Sequence, residues 1–295
     1  MGTAVFLAAG VMAFGAGCLA RSRYERDCLV TEEYRIASEK IHGQGKTIVF
    51  LTDLHNKEFG EENSRLLETV RKVKPDAVLF GGDGMVAKRG NSDVRIPLAL
   101  LTELAKEFPV YCGNGNHESR MVWKTDVYGE TYEHYRMALE NAGIRYLSNE
   151  AADLDSDIRV YGLDLPKIAY LPRSGEIPEG LLKETMGEPD PEKFCLLLAH
   201  SPLFFEEYAA WGADLTLSGH FHGGTIRLPL VGGVMTPQYQ FFYPRCAGYF
   251  ELPGKGREKS RMIVGRGLGT HSINIRLNDK PQVVVVRLCG ADTQQ

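Results

Sequence analysis

Five short clusters hold the residues able to do chemistry: Asp53-Leu54-His55, Gly82-Asp83, Asn116-His117-Glu118, His200, and Gly219-His220-Phe221-His222-Gly223-Gly224. Carboxylate, amide and imidazole donors without a thiolate suit Mn, Fe or Zn rather than Cu(I) or a structural zinc. Each cluster also has an ordinary use when taken alone. Asp53 could cap a turn or helix, Asp83 lies between glycines as turn residues do, and Asn116 could form an Asx-turn. His200 could simply end a strand before Ser201-Pro202, and a glycine-rich turn could carry His220 and His222 to the surface. These readings fail jointly, because five of the chain's eight histidines fall at the ends of apolar runs. The other three, His42, His134 and His271, lie outside these positions; the first two read as solvated surface residues, and His271 as a loop residue or a pocket-lining one.

The elements that must position these clusters are legible from apolar periodicity. KTIVFLT (46–52), DAVLFG (76–81) and PVYC (109–112) read as buried strands, separated by the helical patterns SRLLETVRKV (64–73) and IPLALLTELAKE (96–107). A further helix over 130–143 closes on Gly143, as a C-cap. Beyond it, IRVYGLD, FCLLLAH, ADLTLSG, RCAGYFEL, RMIVGRG and PQVVVVRL read as strands with fewer helices between them. The pattern predicts an α/β fold with two sheets, the first fed by crossover helices and the second richer in antiparallel connections. In such folds ligands bind outside the carboxyl ends of strands, where the five clusters fall. The links 166–190 and 225–245 are long enough to overhang that site.

The motifs DLH, GGD, GNHE, LAH and GHFH, in this order, resemble those of the calcineurin-like metallophosphoesterases from about Lys46 to Leu288. GHFHGGTIRLPL and GRGLGT further resemble the family's membrane-associated branch, of the YkuE and YaeI type. The resemblance implies a four-layer α/β/β/α sandwich of two mixed β-sheets flanked by helices. It implies two divalent metal ions per chain, Mn with Fe or Zn as alternatives, bridged by Asp83. Asp53, His55 and His222 would complete one metal site, and Asn116, His200 and His220 the other. A hydroxide between the metals would attack phosphorus. His117 would serve the leaving oxygen as general acid or transition-state stabiliser, or else hold a neighbouring carboxylate, with Glu118 in a supporting position. The function so implied is hydrolysis of a phosphodiester or pyrophosphate, lipid- or nucleotide-linked. The alternatives are a nuclease-like phosphodiesterase and a non-catalytic metal-binding scaffold; a scaffold is expected to lack ligands, and none is missing here.

Net charge is −4, with no basic run beyond short pairs, which argues against a nucleic-acid partner. Six cysteines without CxxC spacing fit a reducing compartment, and Cys112 and Cys195 sit in apolar runs as small hydrophobes. Thr3 to Ala20 carries no charge across 18 residues, although six are alanine and three glycine. With Arg21, Arg23 and Arg26 behind it, this stretch predicts a single-pass N-terminal membrane anchor, with the catalytic domain favoured on the cytoplasmic side and an extracytoplasmic placement as the alternative. The expected organisation is an anchor and basic flank over 1–26, a lead-in over 27–45, the catalytic domain over 46–290 and a tail over 291–295.

Overall fold

Alternation along the strands decides which layer each side chain joins, since successive residues of a strand point to opposite faces. In the strand Lys46–Leu51, Ile48 and Phe50 enter the core between two sheets, whereas Val49 and Leu51 enter a second core under helices. The computed structural model describes residues 2–171, 175–255, 258–270 and 274–291. Its first sheet has the order β1 (Val30–Ser38), β14 (Gln282–Gly290), β2 (Lys46–Leu51), β3 (Ala77–Phe80), β4 (Val110–Gly113), β5 (Arg145–Leu147). Its second has the order β12 (Gly248–Pro253), β13 (Lys259–Val264), β9 (Leu215–Ser218), β8 (Phe194–Ala199), β7 (Ile158–Leu163), β6 (Glu150–Asp153). A hairpin of β10 (Arg227–Leu228) and β11 (Gly232–Gly233) stands apart.

The helices are α1 (Gly2–Glu25), α2 (Ser64–Val73), α3 (Arg95–Ala105), α4 (Asn116–Trp123), α5 (Thr125–Tyr128), α6 (Thr131–Asn141), α7 (Leu181–Met186) and α8 (Phe205–Trp211). Leu66 and Val70 of α2, Leu100, Leu101 and Leu104 of α3, and Tyr135 and Leu139 of α6 cover the outer face of the first sheet. Leu182 of α7 and Tyr208 and Trp211 of α8 cover that of the second. Ile48, Phe50, Leu79 and Tyr111 meet Val160, Leu196, Leu198 and Leu217 between the sheets. This is the expected four-layer sandwich of two mixed sheets.

The second sheet is, as expected, the richer in antiparallel connections: its edge pairs β12·β13 and β6·β7 are antiparallel, with β13, β9, β8 and β7 parallel between them, whereas in the first only β14·β2 is antiparallel. Two other expectations need correction. Strand β1, not read from the sequence, pairs in parallel with β14 along its whole length, so part of the expected lead-in is an edge of the first sheet. Its alternation of half-buried and exposed positions is that of an edge strand, which carries less apolar signal than a central one. Finally, among the described residues no helix is long and apolar enough to cross a membrane. That overturns the expected single-pass anchor, the membrane localisation, and the orientation argued from the arginines. The alanines and glycines dilute the helix's hydropathy, and its last turn is occupied otherwise. Ser22 and Glu25 are buried, Ser22 Oγ accepts the backbone N–H of Arg276 at 3.0 Å, and a Glu25 carboxylate oxygen accepts that of Asp279 at 3.4 Å.

Candidate metal centre

Five central parallel strands run in register and stop at one edge of the sandwich. β2 delivers Asp53 and His55, β3 Asp83, and β4 Asn116 and His117; β8 delivers His200, and β9 His220 and His222. All eight are buried, none more than 6 % exposed. Sharp exits from the strands aim these side chains inward. Asp53, His55, Asp83, His220 and His222 all have φ between 47° and 67°, the left-handed region that costs a non-glycine residue roughly 1–3 kcal/mol and concentrates at functional sites. Gly219 must lack a side chain, because a Cβ there would stand 2.3 Å from an Asp53 carboxylate oxygen. The next turn is held as closely: Gly223, at φ 62°, lies where a Cβ would meet the Asp279 carboxylate at 2.0 Å.

The side chains converge in three overlapping groups whose ligand atoms lie within 4.8 Å of one another: Asp53, His55 and His222; His55, Asp83 and His117; Asp83, His200 and His220. His55 Nε2 and His222 Nε2 stand 3.1 Å apart, the separation of two nitrogens bound about 2.1 Å from one cation at a right angle. Asp53 Oδ1 lies 3.4 Å from His222 Nε2 and 3.8 Å from both His55 Nε2 and His200 Nε2. Asp83 Oδ2 lies 3.7 Å from His55 Nε2 and 3.2 Å from His200 Nε2, so it faces both groups of imidazoles.

Hydrogen bonds behind these atoms select the tautomers. His200 Nδ1 stands 2.7 Å from the Gly81 carbonyl and His222 Nδ1 3.1 Å from that of Gly269; an imidazole bonded to a carbonyl through Nδ1–H presents its Nε2 lone pair forward, as metal-binding histidines do. His117 is wired the opposite way. Its Nδ1 accepts the Ala87 N–H at 2.8 Å, which places the ring proton on Nε2. Asn116 Oδ1 is buried without a hydrogen-bond partner among the described residues, an orphaned acceptor that a cation would satisfy. Asn114, the nearby amide, is spent elsewhere: it donates to Asp164 Oδ2 at 2.9 Å and to Tyr132 Oη at 3.1 Å. The orphaned amide oxygen and the donor set together fit divalent cations.

Burial sets the charge states. It pushes the Asp53 carboxyl up to about 6. At Asp83 the same burial is outweighed by His200, His117 and His55, which hold its carboxyl well below the usual range. Burial would lower His200, but Asp83 and Asp53 lift it to about 10. Glu118, raised to about 7 by burial and the nearby Asp83, accepts the N–H groups of Asp83 and Gly84 at 2.8 Å each and of Gly115 at 2.9 Å. It therefore clamps the loop carrying Asp83 to the start of α4.

Sequence reasoning missed several participants. Tyr170 stacks edge-on against His220 at 5.2 Å, from the first of the two overhanging links. Gln238 of the second link donates to the carbonyls of Ala169 and Leu171, tying the links together beside the site. Arg276, 1 % exposed, donates to the carbonyls of Arg266, Gly267 and Gly269, and so holds the loop on which His222 leans. No periodicity or motif in the sequence separates this arginine from a surface one. His42 pairs with half-buried Asp157 and His134 with exposed Glu130, and His271 lies outside the described residues.

Comparison with known proteins agrees with this geometry. The calcineurin-like phosphoesterase family profile matches residues 46–224. The metallophosphoesterase YkuE of Bacillus subtilis (strain 168) is 28 % identical over 291 residues, covering 96 % of this chain and 93 % of YkuE. The phosphodiesterase YaeI of Escherichia coli (strain K12) is 30 % identical over 267 residues, covering 86 % of each chain. The UDP-2,3-diacylglucosamine pyrophosphatase LpxG of Chlamydia muridarum (strain MoPn / Nigg) is 20 % identical, covering 86 % of this chain and 87 % of its own.

Proposed function

Since the chain belongs to the calcineurin-like phosphoesterases, hydrolases acting on phosphoesters, we propose that it hydrolyses a phosphodiester or pyrophosphate at a two-metal centre built on Asp83. The observation that carries this reading is the position of the Asp83 carboxylate between two groups of imidazoles, His55 with His222 and His200 with His220. Asp53, His55 and His222 would hold one cation, Asn116, His200 and His220 the other, and Asp83 both. Two divalent cations so held supply the positive charge that activates a water and offsets charge on the phosphoryl oxygens. Manganese, iron and zinc all suit these donors.

The protein's own groups do the rest. His200 and His222 present fixed lone pairs, and Glu118 holds Asp83 at the required depth. His117, with its proton on Nε2, donates a hydrogen bond to the phosphoryl or leaving oxygen as a neutral imidazole. The Ala87 N–H on its other nitrogen opposes the doubly protonated ring, which favours transition-state stabilisation over proton delivery by an imidazolium. Lipid- or nucleotide-linked diesters and pyrophosphates stand first among substrates, supported by the activities that the names of YaeI and LpxG state.

The test is turnover of bis(4-nitrophenyl) phosphate by metal-depleted protein on addition of Mn²⁺, Fe²⁺ or Zn²⁺, with bound metal counted per chain. We expect turnover to return as two metals bind. Two bound metals with no turnover of this ester or of a panel of diesters and pyrophosphates would make the chain a metal-binding scaffold instead.

A further inference from the structure

Beside the metal centre, and sharing His55 with it, lies an open cavity of about 250 Å³ between the loop that follows His55 and the residues Leu268, Gly269, Thr270, Asn274 and Arg276. At about 30 Å³ per water it holds several waters, and hence a phosphoryl group. Its lining includes Arg26, Lys57 and Arg276, with Asn56, Thr270 and Asn274, and none of its nine lining residues is a carboxylate. Two of the three cations are already matched. Lys57 pairs with Asp27, and Arg276 with Asp279 at 3.4 Å. Arg26 makes no ion pair among the described residues, and its Nε is buried without a hydrogen-bond partner there. A buried donor left in this state beside a phosphoester site lacks an acceptor, which a phosphoryl oxygen would supply, and the planar fork of the half-buried Arg26 guanidinium matches phosphate.

We propose that this cavity is the subsite for a second anionic phosphoryl group of the substrate, the one not attacked, and that Arg26, at the end of the N-terminal helix, is its recognition residue. The substrate class is thereby a diphosphate diester rather than a simple phosphodiester. This rests on the hydrolase reading above, with the phosphorus under attack placed at the metals and its neighbour on the far side of His55. The position of Arg26 is fixed by the turn before it, where Ser22 and Glu25 are bound to the backbone of Arg276 and Asp279.

The test compares Mn-loaded wild type, Arg26→Ala and Arg26→Lys, each checked for native circular dichroism. Calorimetry measures binding of methylenediphosphonate and of orthophosphate, and kinetics give kcat/KM for UDP-glucose and for bis(4-nitrophenyl) phosphate. Loss of one charge-assisted contact predicts that Arg26→Ala weakens methylenediphosphonate by about 10- to 100-fold more than orthophosphate. The UDP-glucose to bis(4-nitrophenyl) phosphate ratio should fall by a similar factor, with Arg26→Lys recovering part of both. Equal weakening of both anions, or none, overturns the subsite. If wild type hydrolyses neither ester while binding the diphosphonate through Arg26, the hydrolase reading fails and the subsite stands. If it hydrolyses both and Arg26→Ala leaves their ratio unchanged, the subsite fails and the hydrolase reading stands.

Discussion

The two sheets contribute unlike halves to one site. The first supplies oxygen donors, Asp53, Asp83 and Asn116, with His55 and His117; they are tied to each other, as when the His117 N–H donates to Asp83 Oδ1 at 2.7 Å and Glu118 clamps the Asp83 loop. The second supplies only imidazoles, His200, His220 and His222, two of which take their tautomer from carbonyls outside their own strands. The negative charge that concentrates dications thus sits on one wall, and the neutral donors that complete their coordination on the other. Metal charge should depend on the first sheet, and metal geometry on the second.

The largest effect expected is from Asp83→Asn, which keeps the shape and removes the charge facing both imidazole groups. Turnover should fall by at least about 10³, and bound metal below two per chain, because a carboxylate shared by two dications has no neutral substitute. Near-normal turnover with two metals would erase the distinction between the walls. His117→Ala separates chemistry from metal binding within the first wall. It should keep both metals yet slow turnover by about 10²–10⁴ for esters with poor leaving groups. If good and poor leaving groups suffer equally, the Nε2–H acts on the phosphoryl oxygens rather than on the leaving oxygen.

Smaller effects sharpen the comparison. Glu118→Gln should weaken metal binding by about 10- to 100-fold, as loss of outer hydrogen bonds does, because an amide nitrogen in place of one carboxylate oxygen cannot accept, and either the Gly84 N–H or those of Asp83 and Gly115 lose their acceptor. Unchanged metal affinity would mean that the loop stands without its clamp. The smallest effect is a proton count. His200, raised to about 10 in the metal-free protein, is protonated at pH 7, so metal uptake there should release a proton, seen as a binding enthalpy that varies with buffer. By linkage, the stability this proton confers is complete below the ordinary histidine range and is lost as pH rises through about 10. The melting temperature of metal-free protein should therefore fall faster between pH 7 and 9 than that of Mn-loaded protein. Parallel curves would show that the second wall is neutral before metal arrives.

The site's inner ring was legible because strand ends mark themselves twice, by an apolar run and by the polar residue that stops it. Asp53, Asp83, Asn116, His200 and His220 all carry that double mark, and the two-sheet α/β fold follows from the same runs. What supports the ring was not legible. Arg276 and Asp279 lie in an irregular stretch, and their roles arise from contacts with Gly267, Gly269 and Gly223, which no local pattern encodes. The N-terminal helix misled for a related reason: an uncharged run of alanine and glycine resembles a weak membrane span by composition, whereas its function in the fold lies in the polar residues just after it. Helix α4 carries little local signal, because its N-cap is a glycine, Gly115, and its first two residues, Asn116 and His117, are weak helix formers.

The pairing of β1 with β14 bears on how the protein is made. The first sheet keeps a place for β14, second from its edge, until residues 282–290 have been made, and Ser22 must wait for Arg276, 254 residues later. Contacts of such long sequence separation are slow to form. A nascent chain leaving the ribosome will therefore have presented every metal-binding residue before the loop that steadies His222 exists. Ribosome-bound chains halted before residue 276 should capture metal loosely, if at all, and addition of residues 276–290 should convert that loose capture into a lasting one.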